Sequence, residues 1–69
     1  MRVFIVKHIL SHGFVDLTLF DNFQKAYDYV MFLLDKSYGG CDFNFSEYRM
    51  YWYLKEKNVE ISIVESLVK

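Results

Sequence analysis

Apolar and polar residues alternate with a period of two in four stretches of this chain and follow a helical period in a fifth. Arg2 to Leu10 is dense in β-branched and aromatic residues and predicts a first strand. Ser11-His12-Gly13 supplies a three-residue hairpin loop, with Gly13 free to take positive φ. Phe14 to Phe20 predicts the second strand. Its Val15, Leu17 and Leu19 share one face and Asp16 and Thr18 the other, the alternation of a half-buried strand.

Asp21 reads as a helix N-cap with Gln24 returning the bond, and Phe23, Ala26, Tyr27, Val30, Leu33 and Leu34 then recur at helical spacing. The helix is expected from about Asn22 to Ser37, with Gly39-Gly40 as its stop. Cys41 to Glu47 is short and polar with two interspersed phenylalanines, and reads as loop. From Arg49 to Lys55, Met50, Trp52 and Leu54 point one way and Arg49, Tyr51, Tyr53 and Lys55 the other, which predicts a strand; a helix starting at Ser46 is the competing assignment. After a turn at Glu56-Lys57-Asn58, Val59, Ile61 and Ile63 face inward on a last strand, opposite Glu60 and Ser62. The expected fold is α+β in the order β-β-α-β-β: a single antiparallel four-stranded sheet with one helix packed on one face, forming a single domain over residues 1–69.

Composition changes the picture in one respect. Fourteen residues are aromatic and 54% are apolar in a chain of 69. A chain of this mass keeps roughly 4,600 Å² exposed and buries about 60% of its extended surface, so some aromatic area is expected outside or against a second chain. Net charge is -1, which gives no general attraction to nucleic acid or to an anionic membrane. The apolar run behind Arg2 is broken by Lys7, His8 and His12, so no leader is expected, and the longest apolar stretch, Tyr29 to Leu34, falls far short of the ~20 residues that span a bilayer. The single Cys41 cannot close an internal disulfide, and the expected compartment is the cytoplasm.

No set of residues identifies a reaction, and the expectation is a protein that is not an enzyme and needs no cofactor or metal. His8 and His12 are four apart, a spacing that serves a metal on a helix but not across a strand and a turn. Cys41 follows a helix C-terminus, whose partial negative charge disfavours a thiolate, so a half-buried thiol is expected there rather than a nucleophile. Gly39-Gly40 lacks the Lys-Ser/Thr and helix start of a phosphate loop.

Two features suggest binding. Arg49, Tyr51, Tyr53 and Lys55 interleave cations with phenols on one strand face, a composition suited to a protein interface or to stacking of single-stranded bases. Met31 and Phe32 make the second half of the helix apolar nearly all round, with either the Phe43 and Phe45 loop or a partner to cover them.

The opening Val3-Phe4-Ile5-Val6-Lys7-His8, a second strand ending in Phe20, and Phe23-Gln24-Lys25-Ala26 at the helix start resemble a class of small bacteriophage and mobile-element proteins. In these a strand hairpin enters a helix through a phenylalanine, polar residues and Lys-Ala. The resemblance covers the first half of the chain and carries no site residues over. It implies an accessory inhibitor, anti-CRISPR-type proteins among them, that binds stoichiometrically and blocks or modulates a host enzyme or defence complex. The expected partners are thus a host protein and a second copy in a homodimer, without a membrane. The alternative is a regulator that binds single-stranded nucleic acid on the Tyr51 and Tyr53 face.

Overall fold

The computed structural model describes Arg2 through Leu67, which form a five-stranded antiparallel sheet with one helix across it. In chain order the elements are β1 (Arg2–Ile9), β2 (Val15–Phe20), α1 (Phe23–Lys36), β3 (Asn44–Ser46), β4 (Tyr51–Leu54) and β5 (Val59–Leu67). The strands lie in the order β2-β1-β5-β4-β3, so the last strand of the chain inserts between the two hairpins.

The expected four-stranded sheet is therefore corrected to five. The additional strand comes from the segment read as loop: Asn44, Phe45 and Ser46 pair with Tyr53, Trp52 and Tyr51. Three residues are too few to display a period. What holds them is tertiary, the Phe45 ring stacked on Trp52 at 4.9 Å between centroids. β4 also starts later than Arg49, because Met50 sits at φ 46 and closes the turn by donating its N–H to the Glu47 carbonyl.

The hairpin loops follow their local chemistry. Gly13 at φ 87 donates to the Leu10 carbonyl, and the Leu10 N–H donates to the Phe14 carbonyl at 2.8 Å, a three-residue loop with a bulge. Asn58 at φ 52 turns the chain from β4 into β5. The helix cap moves one residue from its expected place. Asn22, with extended backbone, accepts the Lys25 N–H at 2.8 Å on its side chain. Asp21 instead pairs with the Lys25 ammonium at 3.2 Å, and Gln24 donates to Asp28 rather than back to the cap. Past the C-cap Ser37, a Cβ at Gly39 would lie 2.6 Å from the Asp35 carbonyl oxygen, so only glycine fits that close approach.

The core lies between α1 and one sheet face. Ala26, Val30 and Leu34 of the helix pack on Val6, Trp52, Leu54, Val59, Ile61 and Ile63, all buried. β5 sets this arrangement. Its odd positions carry the strongest apolar series, and the register transmits their orientation: Ile63 pairs with Val6, and Val6 pairs with Thr18. Thr18 and Phe20 thus turn toward the helix, and Val15, Leu17 and Leu19 turn away from it. In β2 the face with the greater apolar content is the open one. The accessible surface is 5023 Å², against the roughly 4,600 Å² expected for this mass.

Candidate functional site

The open face of the sheet divides into an aliphatic and a phenolic half. On the aliphatic half, Leu17 and Leu19 of β2 are 58% and 65% exposed, with Val15 beside them and Val64 of β5 also exposed. Ile5 of β1 lies between Leu19 and Val64 in the register and bridges them into one patch. Lys7, opposite Leu17, is the cation within it. Contiguous apolar side chains of this kind, rimmed by polar ones, mark association sites on soluble proteins.

The phenolic half lies over β4 and its neighbours. Tyr51 and Tyr53 are half-buried there, and with Asn44, Ser46, Asn58 and Glu60 they line a shallow depression of about 530 Å³ that Phe45 borders. The Tyr51 hydroxyl donates to the Glu60 carboxylate, and the Tyr53 hydroxyl faces Asn58 Oδ1 at 3.4 Å. The hydrogen bond to Glu60, then burial, push the Tyr51 phenol above its ordinary value. The Arg49 guanidinium sits 5.7 Å from the Tyr51 ring centroid, within range for a cation–π contact. Phe43 and Lys55 meet Tyr53 around a smaller hollow of about 180 Å³.

On the covered side, the far end of the helix holds a polar pair. His8 Nε2 and the Tyr38 hydroxyl are 2.6 Å apart, with the rings edge to face. Burial lowers the His8 pKa, and Asp16 across the hairpin opposes that shift. Burial, then the neighbouring Cys41, raise the Tyr38 phenol. Cys41 is a half-buried free thiol whose N–H donates to the Tyr38 carbonyl. His12 sits apart in the hairpin loop, against the Phe14 ring. Among the described residues no three His, Cys, Asp or Glu side chains are grouped to hold a metal ion.

The eight residues expected to bind a partner separate into three groups. Arg49, Tyr51, Tyr53, Lys55, Phe43 and Phe45 gather around the β3–β4 side of the sheet. Met31 packs against the core, and Phe32 stands 57% exposed on the helix. Phe45 covers Trp52, and it borders a second apolar hollow of about 530 Å³ with Phe23, Tyr27 and Met50. Absent from the expected set are Leu17, Leu19 and Val64. β1 carries the signal that could have found them: Val3, Ile5 and Ile9 are apolar on the face opposite Phe4 and Val6, so one helix leaves an apolar sheet face bare.

Among the described residues no helix is long and apolar enough to cross a membrane. No protein-family model, curated protein or solved structure matches the chain.

Proposed function

We propose that this chain is a small protein-binding inhibitor or modulator that acts stoichiometrically, by laying the open face of its sheet against a host protein. The phage-type resemblance of its first half supports that role and a host-cytoplasmic setting. The observation that carries it is the bare patch of Val15, Leu17, Leu19 and Val64, continuous through Ile5 with a face that also bears Tyr51 and Tyr53. The aliphatic half supplies apolar area, and the phenols supply large rings whose hydroxyls are already hydrogen-bonded.

Capture of host proteins on the immobilised chain, compared among variants, tests this. Leu19→Lys, and separately the double change Tyr51→Ala with Tyr53→Ala, should each lose the partner that the wild type retains, while Phe32→Lys keeps it. A partner lost only with Phe32→Lys would move the interface to the helix and defeat the proposal.

Single-stranded nucleic acid is the second occupant that the tyrosines suit, since bases stack on such rings. The Glu60 carboxylate that accepts from the Tyr51 hydroxyl and the net charge of -1 work against a phosphate backbone there. Retention of an oligonucleotide that weakens steeply between two salt concentrations would favour this reading over the first.

A further inference from the structure

The two edges of the sheet differ in what their backbones offer. The Leu10 N–H bonds to the Phe14 carbonyl, so Leu10 and Phe14 form a hydrogen-bonded pair of the β1–β2 ladder. Such pairs alternate along antiparallel strands. Asp16, Thr18 and Phe20 therefore turn their N–H and C=O groups toward β1, and Val15, Leu17 and Leu19 turn theirs outward.

A second bond on the other side of the sheet fixes the same phase. The Ile63 N–H bonds to the Met50 carbonyl at 3.0 Å, so the odd residues of β5 bond to β4 and its even residues to β1. That leaves the even residues of β1 for β2. Carried to the opposite edge, the alternation aims Asn44 and Ser46 at β4 and leaves only Phe45 facing outward. One edge thus presents three outward residues at alternate positions, and the other presents one.

We infer that β2 pairs with β2 of a second copy of this chain, antiparallel about a twofold axis at Leu17, to form a continuous ten-stranded sheet. In this register the Leu17 residues exchange both backbone bonds with each other, and Val15 exchanges both with the partner's Leu19 at each end. Every outward N–H and C=O of β2 is satisfied. The side chains agree with the backbone. On the open face Leu17 meets its own copy and Val15 meets Leu19, so the contact joins two aliphatic patches. On the helix face Asp16 lies opposite Thr18 of the other copy, so the only charge in the strand meets a hydroxyl and not its own kind. β2 also has none of the usual edge protection: it contains no proline, no lysine and no interruption from Val15 to Phe20. The pairing uses the edge of the sheet and stands whether or not a foreign protein docks on the face.

Sedimentation velocity on the full chain from about 1 µM to about 1 mM should show a monomer–dimer equilibrium. Leu17→Lys and Leu17→Glu each place like charges across the twofold, and each should weaken the dimer about tenfold or more. Mixing the two variants in equal amounts should restore it. Because Leu17 is exposed, circular dichroism should show both variants folded, with Leu17→Lys slightly the less stable because it faces Lys7; a Leu17→Glu variant that unfolds would contradict the placement of β2. Amide exchange should slow with concentration at Val15, Leu17 and Leu19 and stay unchanged at Phe45. Val64→Lys, on the open face away from the edge, should leave the dimer intact. A wild-type monomer throughout the range, or a dimer that survives Leu17→Lys, would overturn the inference. So would a dimer broken by Val64→Lys without amide protection in β2, since the copies would then stack face to face.

Discussion

Leu54 and Leu17 are the same residue on strands of the same sheet, yet Leu54 is fully buried and Leu17 is 58% exposed. The helix accounts for the difference. Among the described residues α1 is the one element that covers the sheet, and it closes only the face that carries Val6, Trp52, Ile61 and Ile63. Hydrophobicity on the covered face stabilises the fold, since those side chains leave water when the chain folds. On the open face similar side chains stay in water, and their burial free energy remains available for association. A surplus of apolar residues in a short chain therefore has two destinations, and topology assigns them.

Substitutions separate the two faces most sharply where the contrast in burial is greatest. Leu54→Ala leaves a cavity under the helix and should lower the unfolding free energy by about 2–5 kcal/mol; a loss as small as that of an exposed residue would erase the distinction between faces. The helix itself can be loosened next. Asn22→Ala removes the bond to the Lys25 N–H and should cost about 0.5–2 kcal/mol by chemical denaturation, while Asp21→Ala loses only an exposed ion pair worth about 0.2–1 kcal/mol or less. If Asp21→Ala costs the more, the cap lies where the sequence first suggested.

On the open face, at concentrations low enough to keep the chain monomeric, Leu19→Lys should change folding stability by less than about 0.5 kcal/mol, because the side chain of the single chain already lies in water. The smallest effect concerns the covered face under acid. His8 takes up a proton less readily in the folded chain than an ordinary imidazole of pKa 6.5, because it is partly buried, with Asp16 opposing the shift. The unfolded chain therefore binds more protons, and stability should be flat above 6.5 and fall as pH drops below it toward the folded value. Denaturant midpoints measured on either side of 6.5 should differ more in the wild type than in His8→Gln. An equal difference would show that His8 does not sense its burial.

Long, regular alternation was legible in the chain. β2 and the helix emerged with ends within a residue or two, because each carries a period that local chemistry alone imposes. β1 did so through its β-branched and aromatic density, whereas β5, legible from Val59 to Ile63, runs on to Leu67. The inward set of Trp52, Leu54, Val59, Ile61 and Ile63 followed from the same alternation. The phenols on the opposite face were visible for that reason too. β3 was not, since three residues with one apolar side chain form a strand only once Trp52 is in place to receive Phe45.

The orientation of β2 shows where local pattern stops. Val15, Leu17 and Leu19 make a clean apolar stripe, and the sequence by itself determined that they share one face of a strand. Which face that is depends on register. The loop at Ser11-His12-Gly13 ties β2 to β1, β1 is tied to β5, and the buried series on β5 decides which side the helix covers. Only the tertiary structure could therefore place the stripe in water. Alternation records which residues lie together, whereas burial depends on what packs above them, and here that is one helix with enough width for a single face.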